Sequence, residues 1–245
     1  MTDIFKEPVE RKINMDKAEQ DKLKKQAAQK AAAMVESGMI LGVGTGSTVK
    51  FFIDALGERK DHDGLKLKAI VTTSSRSQRQ LESLGFHVSK LADIDQADLT
   101  VDGADRVADN FDGIKGGGGA LTLEKNVAAN SKKIIWIVDE SKLVHNLSGF
   151  PLPVEVLPIS CEQVKRRLAA QGLNPEFRKD ETGKRFVTHY GNYILDLHVD
   201  PIPVPAGLAD YLDHTVGIVE HGLFLNMCDE VIIAHSNGQI EDRKR

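Results

Sequence analysis

Between residues 39 and 138 the chain repeats one unit: a short apolar run, then a loop, then a helical segment. The apolar runs are residues 39–43 (MILGV), 67–72 (LKAIVT), 98–102 (DLTVD) and 133–138 (KIIWIV). Helical spacing fills roughly 47–56, 75–84 and 120–130. An earlier helix is expected over 16–37, with Leu23, Ala27, Ala31 and Met34 on one stripe, Asp16 as N-cap and Gly38 as stop. Strands that are apolar on both faces and linked by helices form a parallel sheet covered on both sides. The expected fold class is α/β: a mostly parallel Rossmann-like sheet with helices on both faces.

The pattern changes near Phe150-Pro151-Leu152-Pro153. Beyond it the spacing predicts a strand at 154–157, a helix at 160–171, an Asn-Pro break at 174–175, strands near 185–189 and 192–199, and a helix at 205–214. This is a smaller α+β unit with an antiparallel sheet. The apolar stretch 230–234 is expected to return to the first sheet. The division is therefore residues 1–149 with 222–245 as the larger α/β part, and 150–221 as the smaller part. Residues 1–14 read as a loose arm.

Composition removes several function classes. A net charge of -4 gives no sign of nucleic-acid binding. No apolar run approaches the roughly 20 residues that cross a bilayer, and the first 26 residues are charged throughout, with no signal-peptide core. Cys161 and Cys228 match no metal spacing and read as buried thiols. The eight histidines offer no ligand spacing either, and Trp136 reads as core. A cytoplasmic protein without metal or cofactor is expected.

In an open parallel sheet, ligands bind beyond the carboxyl ends of the strands. Five loops carry chemistry in this chain, and each follows a predicted strand. The first is Gly42-Val43-Gly44-Thr45-Gly46-Ser47-Thr48. Its glycines allow close backbone approach, and the helix that starts here suits an anion such as phosphate. The plain alternative is a tight turn capped by Ser47. A dinucleotide fingerprint fails because Ser47 stands where its third glycine belongs, and no G-K-[ST] triplet follows for a nucleotide P-loop. A phosphomonoester fits better.

The second loop, residues 72–77, offers hydroxyls for a sugar phosphate or merely a helix cap. The third is Asp102-Gly103-Ala104-Asp105, two carboxylates that share one space if the glycine turns the chain. The fourth runs from Lys115 through Gly116, Gly117, Gly118 and Gly119 to Glu124. Each of those glycines costs roughly 0.5–1 kcal/mol in regular structure, so the run implies backbone lying close to something. Glu124, about a turn into the next helix, can point back as a general base. The fifth, Asp139-Glu140-Ser141-Lys142, brings a lysine charge.

Taken together, VGTGST, DGAD, IKGGGGAL, the glutamate nine residues after that lysine, and SK resemble the motif series of the A-type ribose-5-phosphate isomerases. FPLPVEV at 150–156, GNYILD at 191–196 and GIVEHGLF at 217–224 extend the resemblance over about residues 20–235. It implies an aldose–ketose isomerase of the pentose phosphate pathway that needs no cofactor and works as a homodimer or homotetramer on a phosphosugar. It also implies roles. Glu124 is the catalytic base, with Asp102, Asp105 and Lys115 around the reacting end of the sugar. Thr45, Gly46, Ser47, Thr48, Gly103, Ala104, Gly116, Gly117, Gly118 and Lys142 join Asp102, Asp105 and Lys115 in binding substrate. The family often has Glu where this chain has Arg106, which is expected to alter the charge at the site rim.

Other readings differ in kind. A phosphosugar sensor would share the sheet and phosphate loop, but a single helix before the first strand is too little for a helix-turn-helix. An acyl-CoA transferase or sugar-phosphate deaminase would share the architecture, yet paired aspartates beside a lysine suit sugar hydroxyls better than a thioester.

Overall fold

The computed structural model describes residues 16–245, so the predicted N-terminal arm lies outside it. The first part of the chain runs α1 (Lys17–Ala32), β1 (Ile40–Val43), α2 (Ser47–Asp63), β2 (Ala69–Thr72), α3 (Ser75–Ser83) and β3 (Leu99–Asp102). Then come β4 (Arg106–Ala108), β5 (Gly113–Ile114), α4 (Leu121–Ala129), β6 (Ile134–Asp139) and β7 (Leu143–Val144). The smaller unit holds β8 (Leu152–Val156), α5 (Cys161–Ala170), β9 (Pro175–Phe177), β10 (Tyr193–Leu197), α6 (Pro205–Asp213) and β11 (Ile218–His221). The chain closes with β12 (Leu223–Phe224), β13 (Glu230–Ala234) and β14 (Ile240–Lys244).

The main sheet has the order β14-β13-β6-β3-β1-β2 and is parallel except for the edge strand β14. The stretch 230–234 does return to it, as β13 beside β6. The strand order reverses between β1 and β3, and that is where a crevice opens at the carboxyl edge. Alternation along β6 divides its side chains. Ile135 and Ile137 join a core with Leu23, Ala27 and Ala31 of α1 and Phe52 and Ile53 of α2. Ile134, Trp136 and Val138 face Ala128 of α4, Val107 of β4 and Phe224 of β12. The second face is thus covered by α4 together with a small sheet, β12-β5-β4-β7, that the sequence pattern did not reveal. Its strands have two or three residues each, too short to show a period of two.

Residues of the smaller unit build an antiparallel sheet, β11-β8-β10-β9, as expected. The strand expected at 185–189 does not form: Arg185 and Val187 make only isolated bridges, to Lys179 and Tyr193. Most side chains there are exposed, while Phe186 leaves the sheet to sit against Gly119. Helix α2 outruns its expected end at residue 56 by seven residues. Gly57 lies inside the helix, where a side chain would crowd Leu84, and the helix stops at Gly64, whose φ is 70°. Helix α1 ends at Ala32, short of the expected 37, with Asp16 as its N-cap.

Candidate active site

The first loop leaves β1 beside β3. Gly44 N–H donates to Val101 O, and Thr45 N–H donates to Asp102 Oδ1 at 3.0 Å. A side chain at position 44 would overlap the Asp102 carboxylate, which explains this glycine. Helix α2 then starts from Gly46, at φ 127°, and no side chain caps it. Ser47 is therefore the first helical residue and not the cap. The amino end of α2, with the Ser47 and Thr48 hydroxyls, lines a cleft of about 130 Å³.

The third and fourth loops form the rest of that cleft. It is lined by Gly103, Ala104, Asp105, Lys115, Gly116, Gly117, Gly118, Glu124 and Lys142 as well as by Thr45, Gly46, Ser47 and Thr48. The fourth loop reaches it from β5 of the small sheet and not from a strand of the parallel sheet. Lys115 is fixed through its backbone, donating its N–H to Gly222 O at 2.9 Å. Its buried ammonium lies 2.6 Å from Gly103 O, 2.9 Å from Asp102 Oδ2 and 3.3 Å from Glu124 Oε2. Asp102 lies beneath the cleft and not on its wall. Its Oδ1 accepts the amides of Thr45 and Gly103, and its Oδ2 faces Lys115, so its carboxylate is fully engaged. Asp105 is on the wall, with Oδ2 accepting the Gly117 amide at 2.8 Å.

Glu124 stands in the first turn of α4 and is 5% exposed. Burial pushes its carboxyl up, the Lys115 ammonium pulls it back, and the charges of Asp102 and Asp105 push it up again, leaving it at about 8. Burial alone would lower Lys115, but the carboxylates of Asp102 and Glu124 outweigh it, so the ammonium is held above its ordinary range. A lysine thus sits between Asp102 and Glu124, where a metal ion bound by those carboxylates would have to sit. Elsewhere, Asp213, Glu220 and His221 offer ligand atoms within 4.8 Å of one another, but the Lys125 ammonium already contacts Glu220 and His221.

One lining residue escaped the sequence reading. Lys24 of α1 reaches the cleft and is 8% exposed. The available signal was its spacing of four and seven from Ala28 and Ala31, which places a lysine on a buried face. The second loop goes elsewhere. Ser74 caps α3 by accepting the Ser77 amide, and Thr73 Oγ1 bonds Thr45 Oγ1 at 2.6 Å. Residues 72–75 line a neighbouring cavity of about 230 Å³ that Asp105 and Glu124 do not border. Glu155 from the FPLPVEV stretch borders that cavity, buried and bonded by Thr122, Thr188 and Asn192. Arg106 turns away from the cleft, donating to Asp105 O and to Gly149 O. Cys161 and Cys228 are both free and buried, and Trp136 is core.

Comparison with known proteins agrees along nearly the whole chain. The family described as Ribose 5-phosphate isomerase A (phosphoriboisomerase A) matches residues 69–238. A protein of Lactobacillus acidophilus named Ribose-5-phosphate isomerase A is 80% identical over 229 residues, covering 94% of this chain and 99% of its own. Among solved structures, ribose 5 phosphate isomerase A from Neisseria gonorrhoeae superposes with a TM-score of 0.85 at 38% identity, over 92% of this chain and 97% of its own. A D-ribose-5-phosphate isomerase in complex with phospho-erythronic acid gives a TM-score of 0.89 at 32% identity, over 94% of this chain and all of its own.

Proposed function

The chain belongs to the ribose 5-phosphate isomerase A family, and from that membership we infer that it interconverts D-ribose 5-phosphate and D-ribulose 5-phosphate, with Glu124 as the general base. The reaction moves a proton between C2 and C1 through an enediol. Glu124 takes the C2 proton of the open-chain aldose and returns it to C1. Meanwhile the proton on the C2 hydroxyl passes to the C1 oxygen. A base of this kind works best with a pKa near the operating pH. The observation that carries the proposal is the buried Glu124 carboxylate, lifted to about 8, 3.3 Å from the Lys115 ammonium and on the wall of the same cleft as the start of α2.

The other residues divide by charge. The amides at the start of α2, the hydroxyls of Ser47 and Thr48, and the ammoniums of Lys24 and Lys142 suit the phosphate. Lys115 stabilises the oxygen that becomes negative in the enediolate. Asp105 meets the sugar hydroxyls and assists ring opening, while Asp102 holds Lys115. Binding the phosphate away from the reacting carbons orients the substrate.

The two-part division of the chain, a cytoplasmic setting and a homo-oligomeric assembly belong to the same proposal. The exposed apolar side chains of Ile159 and Val216, 90% and 80% accessible, support a self-association surface. Sedimentation of the purified chain tests it. The activity is tested by incubation with ribose 5-phosphate in EDTA and assay for ribulose 5-phosphate. Glu124→Gln should still bind the phosphosugar while losing C2 proton exchange. A variant that exchanges at the wild-type rate removes Glu124 from the role.

A further inference from the structure

The glycine loop closes on itself through the Gly119 N–H, which donates to Gly116 O at 2.9 Å, and one side chain outside the cleft holds its carbonyls. Arg178 follows β9 in the antiparallel sheet. Asp196 of β10 clamps it: Nε donates to Oδ2 at 2.9 Å and Nη2 donates to Oδ1 at 2.5 Å. The remaining nitrogen, Nη1, donates to two consecutive carbonyls, Gly116 O at 2.8 Å and Gly117 O at 3.1 Å. Both side chains of the pair are largely buried, at 14% and 16% exposed.

The consequence follows from the peptide plane. In a trans peptide the C=O and the following N–H point in opposite directions. Among the described residues the cis bond is at Asp200-Pro201 and not in this loop. With both carbonyls drawn to Arg178, the N–H groups of Gly117 and Gly118 are turned to the other side. Gly117 N–H meets Asp105 Oδ2 there, at 2.8 Å. Gly118 N–H has no protein acceptor among the described residues, and Gly118 lines the cleft with Lys115 and Glu124. A side chain added at position 118 would meet Thr45 Cγ2 at 3.9 Å.

We propose that Arg178 is a positioning residue for the isomerisation: it locks the Gly116–Gly118 backbone so that the Gly118 amide donates to the oxygen that gains charge in the enediolate. The proposal rests on the isomerase reading above. Arg178 itself does not line the substrate cleft. Its guanidinium polarises the two peptides from behind, which strengthens their N–H groups as donors on the cleft side. A preorganised amide of this kind stabilises the transition state more than the ground state. Lysine cannot replace the arginine, because one ammonium cannot hold a bidentate carboxylate and two carbonyls at once.

Wild type, Arg178→Lys and Arg178→Met are compared for kcat, KM and inhibition by two probes. Phospho-erythronic acid carries a planar carboxylate that imitates the enediolate, whereas inorganic phosphate reports only the phosphate subsite. Arg178→Met should lower kcat by about 10²-fold and weaken phospho-erythronic acid by at least about tenfold, as for a lost oxyanion donor. KM and phosphate inhibition should stay near wild type, and Arg178→Lys should fall between. Arg178→Lys carries the same readouts should the methionine variant not fold. Unchanged kcat and unchanged phospho-erythronic acid inhibition overturn the proposal. So does equal weakening of both probes, which marks general damage to the site. A wild type without turnover overturns the isomerase reading instead, so the two failures are distinct.

Discussion

Lys115 and Lys125 stand ten residues apart, and both ammoniums lie over the ring of Phe224, at 5.4 and 5.1 Å from its centroid. Each is buried or nearly so and each meets carboxylates. Yet Lys115 is pushed above its ordinary range and Lys125 below it. The difference lies in the balance of charge. Around Lys115, Asp102 lies at 2.9 Å and Glu124 at 3.3 Å, and Asp105 adds its charge to theirs. Around Lys125, Glu220 is the close partner at 2.5 Å, and burial outweighs the help it gives. A surplus of carboxylates over ammonium leaves one carboxyl, Glu124, that takes up a proton near neutral pH. The Lys125–Glu220 pair serves as a strut. The Lys125 pair joins α4 to the 217–224 stretch, with the Lys125 ammonium also donating to His221 O. The same segment holds Lys115, through Gly222.

The largest test exchanges the glutamates. Glu124→Gln should cost between about 10² and 10⁴-fold in kcat, the usual worth of a general base. Glu220→Gln should leave kcat within a few-fold and lower stability by about 1–3 kcal/mol, because it strands Lys125 in a largely buried place. Steady-state kinetics and denaturant unfolding read both. Equal losses of kcat in the two variants would erase the contrast.

Next come the lysines. Lys115→Met should lower kcat by about 10²–10³-fold, as for loss of an oxyanion partner. It should also move the pH profile. In the wild type the acid limb of kcat/KM belongs near pH 8, where free Glu124 ionises. Without the ammonium that favours its carboxylate, that limb shifts to higher pH. Lys125→Met should leave the limb in place. A limb that stays put in Lys115→Met would show that Glu124 is not the group being read.

The smallest effect is on stability against pH. Glu124 is held at about 8 when folded, against 4.5 ordinarily. The folded chain therefore binds the extra proton between these values. The contribution of Glu124 is complete below pH 4.5 and is lost as pH rises through 8. His221 works in the opposite sense, since burial and the Lys125 charge lower it, so its contribution is lost as pH falls below its ordinary 6.5. The difference between Glu124→Gln and wild type isolates the glutamate. Relative to wild type, the variant should gain stability steadily from about pH 5 to pH 9, measured by thermal or denaturant midpoints. A flat difference curve would mean that Glu124 is not perturbed.

Much of the architecture was legible in the residues. The apolar runs at 39–43, 67–72, 98–102 and 133–138 all contain strands of one parallel sheet, because a strand buried on both faces is apolar at most positions. The loops at 42–48 and 102–105, with Lys142, meet in one cleft, as the rule about carboxyl edges implied, and the 115–118 loop with Glu124 joins them from the small sheet. The small sheet of β4, β5, β7 and β12 was not legible, since strands of two or three residues carry no periodicity. Lys24 was hidden as one charge among many on a polar helix. Arg178 was hidden because nothing local connects it to a glycine run 61 and 62 residues away.

What the sequence determined by itself is therefore the inventory: which segments form the parallel sheet, where backbone must come close to a ligand, and which carboxylate and ammonium groups are at hand. Those follow from side-chain polarity and glycine's freedom, which are local. Only the tertiary structure decided the roles. It placed Asp102 under Lys115 with both oxygens engaged, kept Glu124 buried with one neighbouring cation, and turned the glycine carbonyls toward Arg178. Charge and hydrogen bonding act through space, so the distances among groups far apart in the chain make one carboxylate a strut and leave another able to take up a proton.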